Sequence, residues 1–497
     1  MTTEGVPQRG AVHVSAHGWG WRHAGRRAFA ARHLELEITP GERVLLLGAS
    51  GAGKSTVLHG LAGVLGTQDE GEQEGELLLD GAHPASARGR AGLVLQDPET
   101  QVVLARVGDE VAFAAENLSV PREEIWQRVG RALDDVGLTL PLDHPTTALS
   151  GGQKQRLALA SVLAMEPGLL LLDEPTANLD PDGVLEVRDA VVRVLERTGA
   201  TLVVVEHRVA VWADVVDRVV VLDADGGILA DGPPGTVLVQ ETTRTRLADA
   251  GVWIPGWRPP VGGTLPSPGS GPTLLSAREL AVARTKRGPA AVEDLVIDIR
   301  AGEALGITGP NGAGKSTAAL TLGGLLRPRA GTLLAQPSLA GTAGSTPHRW
   351  RSPQLVQRIG TVFQEPEHQF LTASVADELE FGPRRVSGTV DTARIAELAE
   401  RLRLTHLLRA NPFTLSGGEK RRLSVATMLA TAPRLLILDE PTFGQDALTW
   451  AELVTLLREL VDDGVAVLSV THDADFSDAL GGATLHISGG AGRLVSR

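Results

Sequence analysis

At 497 residues the chain is too long for one hydrophobic core, so two or more domains are expected. With 42% apolar and 22% charged residues it reads as an ordinary soluble globular protein, and the absence of cysteine excludes a disulfide framework and thiolate zinc sites and favours the cytosol. A net charge of −13 argues against a nucleic-acid partner, whose phosphates need a basic surface, yet leaves room for a local nucleotide site.

In chain order, residues 1–18 lack the apolar stretch of a secretion signal, and no apolar run of 18 residues predicts a membrane-spanning helix. "RVLLLG" (43–48) is a short buried strand, followed by a glycine-rich turn and by "KSTVLHGLAGVL" in helical spacing. "PREEIWQRVGRALDDVG" (121–137) is an amphipathic helix. "LLLL" (169–172), "TLVVV" (201–205) and "RVVVL" (218–222) read as buried parallel strands. "GWRPPVGGTLPSPGSGPT" (256–273) is rich in Pro, Gly and Ser and reads as a linker. Its core, 258–272, would average roughly 20–25 Å end to end as a flexible coil. Beyond it, "TARIAELAERLRL" (392–404) is a second amphipathic helix. Strands alternating with helices predict an α/β fold with a largely parallel sheet, and residues 100–167 and 372–432 predict a helical subdomain.

The pattern is written twice. "GASGAGKST" (48–56) returns as "GPNGAGKST" (309–317), and "LQDPETQ" (95–101) as "FQEPEHQ" (363–369). "LSGGQKQRLALA" (149–160) returns as "LSGGEKRRLSVA" (415–426), "LLLLDEPT" (169–176) as "LLILDEPT" (435–442), and "VVVEHR" (203–208) as "LSVTHD" (468–473). The period is far longer than the roughly 20–50 residues of a solenoid, so these are two copies of one domain. The expected organisation is a first domain at 1–257, a linker at 258–272 and a second domain at 273–497.

Each glycine-rich turn fits G-x-x-x-x-G-K-[ST] between a strand and a helix, the context of a P-loop. Gly48, Ser50, Gly51 and Gly53, with Gly309, Asn311, Gly312 and Gly314, let backbone N–H groups curl around a phosphate at a helix N-terminus. Lys54 and Lys315 are expected on the β- and γ-phosphates of ATP, Ser55 and Ser316 on Mg²⁺, and Thr56 and Thr317 among the residues that bind the nucleotide. Asp173 and Asp439 end apolar strands, where a carboxylate can hold the Mg²⁺ shell. Glu174 and Glu440 follow and can orient and deprotonate water. His207 and His472 end the next strand, in reach of a γ-phosphate; a lone histidine there would read as structural, but its repetition favours a role. Ser150, Gly151 and Gly152, and Ser416, Gly417 and Gly418, open helices and form a second anion-binding device.

Taken together these motifs resemble two ATP-binding-cassette (ABC) ATPase domains fused in tandem, over nearly the whole chain. The resemblance implies P-loop domains, each with a RecA-like parallel core, an antiparallel β subdomain and a helical subdomain. It implies a head-to-tail sandwich in which Lys54 faces Ser416 across one ATP and Lys315 faces Ser150 across the other. Gln96 and Gln364 match the Q-loop glutamine, which reaches the Mg²⁺ or the water and links the nucleotide to a membrane partner. Asp180 and Asp446 match the D-loop aspartate. Adenine normally stacks on an aromatic residue upstream of the P-loop; Trp21 stands at about that distance, with Trp19 as rival, whereas 280–292 has no aromatic and offers Arg284. The basic run 21–33 could favour ATP or anionic lipid, but a solvated hairpin face is the better reading.

"QDPETQVVLARVGDEVAFAAENLSVP" (96–121), "FQEPEHQFLTASVADELEFG" (363–382) and "DEPTFGQD" (439–446) resemble ATPases of energy-coupling factor (ECF) importers. That implies a peripheral protein at the cytoplasmic face of the cell membrane, docked on an integral scaffold (T component) beside a substrate-capturing S component, and importing a vitamin, a vitamin precursor or a transition-metal ion. A tandem sugar-import ATPase is the alternative, disfavoured because one of its sites is commonly degenerate. A ribosome-associated ABC protein is disfavoured by the short linker and acidic charge, and a DNA-repair ABC ATPase by the missing cysteines.

Overall fold

The computed structural model describes residues 10–26, 28–66, 70–177, 179–224, 226–264, 271–285 and 288–495. The chain divides into two compact units, one of Met1–Trp257 with Asp446–Leu448, the other of Arg258–Gln445 with Thr449–Arg497.

In the first unit the central sheet has six strands, in the order 91–94, 169–173, 201–205, 43–48, 218–222, 228–232. The first five are parallel and the last is antiparallel. Leu169–Leu172 are at most 1% exposed, as expected of a strand covered on both faces. Burying each such side chain is worth roughly 1.5–3 kcal/mol. The P-loop strand, 43–48, lies mid-sheet between 201–205 and 218–222. The strand ends that carry Gly48, Asp173 and Val205 therefore share one edge, where α/β sheets bind ligands. A separate antiparallel sheet pairs 14–23 with 31–38 and with 71–79. Helices Val107–Asn117, Arg122–Asp135 and Gly151–Leu163 pack into the expected helical part.

The second unit repeats the core order with 359–362, 435–439, 466–470, 304–308, 483–488 and 491–495. Its antiparallel strands 330–335, 273–282 and 292–300 continue the same nine-stranded sheet. The join is small: Glu293 pairs with Ala491, and its N–H donates to Gly490 O at 2.7 Å. Val375–Ser387, Thr392–Arg401 and Gly417–Leu429 form its helical part. The α/β class, the duplicated parallel cores and both helical subdomains thus agree with the expectations from sequence.

Residues 265–270 of the expected linker lie outside the described residues. The stretch before them is tied to the second unit and is not a free coil. Gly262 N–H donates to Thr455 Oγ1 at 3.0 Å, Gly262 O accepts from Arg458 at 3.2 Å, and Arg258 pairs with Asp475.

Candidate active site

Each P-loop lysine opens a helix from within a glycine cradle. Gly53 and Gly314 precede Lys54 and Lys315 at φ of 85° and 95°, a left-handed conformation that side chains resist. A Cβ on Gly53 would stand 2.1 Å from Ala30 O, so the turn has no room for one. Lys54 is 8% exposed and its Nζ donates to Gly48 O and Ala49 O, both at 2.9 Å. Lys315 repeats this with Gly309 O at 2.9 Å and Pro310 O at 3.0 Å. Both ammonium groups donate to main-chain carbonyls of their own cradle, bonds that an incoming phosphate can replace. Burial lowers the Lys54 pKa, against the pull of Glu174 and Asp173.

Beside the cradles stand the strand-end acids. Asp173 is hydrogen-bonded to Ser55, and burial and Glu174 push its carboxyl up to about 6. Asp439 is hydrogen-bonded to Ser316 and also raised by burial. A hydroxyl and a carboxylate on adjacent elements are the hard oxygen donors that Mg²⁺ takes when substrate phosphates complete its shell. Among the described residues no group of three or more His, Asp or Glu side chains could hold a metal unaided, which such a site does not require.

The residue after each aspartate is held in left-handed backbone, Glu174 at φ 46° and Glu440 at φ 49°. Such strain collects at functional positions. Glu174 N donates to Val205 O and Glu440 N to Val470 O, both at 2.9 Å, which carries each side chain over the next strand's end.

There the two copies diverge. Glu174 Oε1 lies 3.1 Å from His207 Nε2, and Glu174 Oε2 accepts from Gln96 Nε2 at 2.7 Å. Burial alone would raise this carboxyl, but His207, Lys54 and Gln96 outweigh it and hold its pKa below the ordinary range. Glu440 Oε2 instead accepts from Thr471 Oγ1 at 3.2 Å and from the His472 main-chain N–H at 3.4 Å. The His472 ring lies 4.0 Å from Glu440 and meets Asn311 Oδ1 of the P-loop at 3.1 Å. Burial and Asp439 push Glu440 up to about 7. Gln364 is exposed, and its main-chain carbonyl, with those of Phe363 and Asp439, is taken by the buried Arg421. The matching residue of the first copy is Gln155, also buried.

Ser150 and Ser416 cap helices of 13 residues. Each hydroxyl accepts from the N–H three residues on, at 3.3 and 3.4 Å, and the residue there returns a bond to the serine N–H. Both serines are exposed, with Gly151 and Gly417 beside them. Within its own unit neither signature serine bonds to a P-loop residue among the described contacts. Asp180 caps the helix Pro181–Thr198 through Gly183 N at 2.9 Å. Asp446 is buried at 3% exposure.

The two aromatic residues expected near adenine are both buried. Trp21 is 4% exposed and Trp19 is fully buried, both in the core between the antiparallel sheet and the P-loop helix. Two residues on, the exposed His23 reaches Thr56 Oγ1 at 3.3 Å and accepts from the Trp21 indole N–H at 3.3 Å. Burial on one side and Arg26 keep its pKa low, so the ring is neutral at pH 7. In the second unit Arg284 is exposed at the matching place.

Sequence reasoning also passed over three side chains. Gln101 holds the Q-loop by accepting from Leu95 N and donating to Leu93 O, both at 3.0 Å; Gln369 does the same with Phe363 N at 3.1 Å and Thr361 O at 2.9 Å. Their signal was the second glutamine in "QDPETQ" and "QEPEHQ". Glu206 is a buried acid beside Glu174, signalled by "VEH" standing where the other copy has "VTH".

The family pattern described as ABC transporter matches residues 31–177 and 292–443. The chain is 36% identical over 470 residues to a Bacillus subtilis protein named "Putative HMP/thiamine import ATP-binding protein YkoD", covering 89% of this chain and 84% of that one. It is 31% identical over 486 residues to a Caldanaerobacter subterraneus protein named "Putative ABC transporter ATP-binding protein TTE1589", covering 89% of this chain and 84% of that one. An archaeal ribosome recycling factor, aABCE1, solved with ribosomal stalk protein aP1, superposes with a TM-score of 0.60 at 20% identity over 97% of this chain and 89% of its own; that likeness speaks for the fold alone. The chain belongs to the ABC transporter family as a tandem of two ATPase domains, which bind ATP and hydrolyse it in support of transport through membrane components. None of the helices among the described residues is long and apolar enough to cross a membrane.

Proposed function

We propose that this tandem ATPase is the motor of an ECF-type importer, carrying a vitamin or vitamin precursor through separate T and S membrane components from the cytoplasmic face. The observation that carries the reading is the pair of complete catalytic sets. Lysine, serine hydroxyl, aspartate, glutamate and histidine converge at the strand ends of both units, so neither site is degenerate in the manner expected of a sugar importer. The name carried by the Bacillus subtilis relative makes HMP and thiamine the first substrates to test.

Residues 1–257 and 273–497 would form two ATP sites head to tail, Lys54 with Ser416 and Lys315 with Ser150, joined through 258–272. ATP draws the lysines from their carbonyls onto its phosphates, and the cradle N–H groups, including those of Gly48, Ser50, Gly51, Gly309, Asn311 and Gly312, complete the contact. Mg²⁺ beside Ser55 and Asp173, and beside Ser316 and Asp439, with Gln96 and Gln364 in reach, would offset phosphate charge. Glu174 and Glu440 orient the attacking water and take its proton, while His207 and His472 reach the γ-phosphate. Closure on ATP and reopening after hydrolysis give the two states that drive the membrane partner. His23 replaces Trp21 as the adenine contact of the first site.

Purification of the full chain with its neighbouring membrane proteins in detergent, followed by uptake of labelled thiamine or HMP in vesicles, tests this reading. ATP-dependent uptake that is lost when both glutamates are changed to glutamine is the expected result. A chain that bound ribosomes and no membrane protein would overturn it.

A further inference from the structure

At the end of the strand after the catalytic acids, one position separates the two copies: Glu206 in the first, Thr471 in the second. Glu206 is 4% exposed. Its Oε1 accepts from the Thr176 hydroxyl and its Oε2 from the His207 main-chain N–H at 3.2 Å. The charged or titratable groups facing it are Glu174, His207 and Arg208. In the second copy the corresponding histidine N–H and the Thr471 hydroxyl both go to Glu440, and Thr442, the partner of Thr176, turns to Asp473 Oδ2 at 3.0 Å.

We infer that Glu206 is a positioning residue of the first ATP site: by taking the His207 N–H and the Thr176 hydroxyl, it leaves both oxygens of Glu174 to the His207 ring and the Gln96 amide. Without it the His207 N–H needs another acceptor, since an unpaired buried donor costs about 1–3 kcal/mol. The second copy shows which acceptor is in reach, the catalytic carboxylate itself. Glu206 thereby sets which way the base of the first site faces, and makes the two sites unequal in their resting state.

The acid suits this place in its neutral form. Burial and the nearby Glu174 push Glu206 up to about 7, so a protonated carboxyl can accept from His207 N–H with one oxygen and share a proton with Thr176 through the other. Glutamine reproduces that pattern and threonine does not.

The inference rests on Glu174 being the water-activating residue, and the test separates the two claims. ATPase kinetics of the full chain are measured for E174Q, E206T and E206Q. E206T should lower kcat by about threefold or more with KM for ATP within about twofold, because the base is misaligned while the cradle is intact. E206Q should keep at least about half of kcat. The histidine ring ¹⁵N shifts should show His207 perturbed in E206T and unperturbed in E206Q. Threonine fills this place in the other half, so E206T is expected to fold; were it not to, E206S would be read the same way. An E206T chain with unchanged kcat and an unchanged His207 signal, or E206Q as impaired as E206T, overturns the role of Glu206. Near-normal turnover in E174Q overturns the assignment of the base.

Discussion

The two halves share their catalytic letters and differ in how those letters are hydrogen-bonded. In the first, the glutamate is pinned by a histidine ring at 3.1 Å and a Q-loop amide at 2.7 Å, and it is held ionised. In the second, the glutamate is held by a threonine and a main-chain N–H, while the histidine ring has turned to the P-loop. A motif therefore fixes which groups are present, whereas the residues between the motifs decide which of them meet. Glu206, Thr471 and Arg421 lie beside or between the quoted catalytic residues and differ from their counterparts in the bonds they make.

The largest effect belongs to what the halves share. Changing Glu174 and Glu440 together to glutamine should lower turnover about 100-fold or more while ATP stays bound. Near-normal ATPase activity in that double variant would break the comparison at its root. A second shared feature should act in both halves. Gln101→Ala and Gln369→Ala each remove two bonds to the Q-loop main chain, and each should cost about 1–3 kcal/mol in denaturant unfolding, with the larger loss for Gln369, which also accepts from Ser424. A larger loss for Gln101→Ala would mean that the loops are held differently from what these bonds imply. The adenine contacts should differ. His23→Ala should weaken ATP binding at the first site about fivefold, as loss of one stacked ring does, and Arg284→Ala should do less at the second. Fluorescent ATP titration of each variant checks both.

The last effect concerns the pH dependence contributed by Glu206, and its sign follows from linkage. Its folded pKa of about 7 lies above the ordinary 4.5. The neutral acid thus supports the fold fully below pH 4.5, and that support is lost as pH rises through 7. Glu206→Gln should then raise the melting temperature at pH 8 and leave it unchanged near pH 4.5. A gain that is the same at both values would show that Glu206 does not titrate there.

Much of the fold was legible because its signals are local. Four aliphatic residues ending in Asp-Glu, written twice, read as a buried strand delivering acids to an edge, and Gly53 follows from a turn that admits no Cβ. The burial of the two tryptophans was not legible because it depends on register. The strand Val14–His23 carries register shifts between Ala16, Trp19 and Trp21 against its partner, and these bury both tryptophans and leave His23 facing the P-loop. Glu206 was printed in the sequence, but its burial depends on Thr176, 30 positions away, and on a strand that joins them only in the folded sheet. The glutamates of "EVAF" and "ELEF" carried a family resemblance, and in the structure they are clamps: Glu110 accepts from Val103 N and Leu104 N, and Glu378 from Leu371 N and Thr372 N. Such residues mark a family because they shape the loop after the Q-loop glutamine.

Both sites are proposed to hydrolyse ATP, with the glutamate of the first the more firmly held by its neighbours. Steady-state ATPase activity of the single variants Glu174→Gln and Glu440→Gln, measured side by side in the full chain, tests this most directly. A larger loss for Glu174→Gln, with a measurable loss for Glu440→Gln, is the predicted result. Equal losses, or the reverse order, would contradict it.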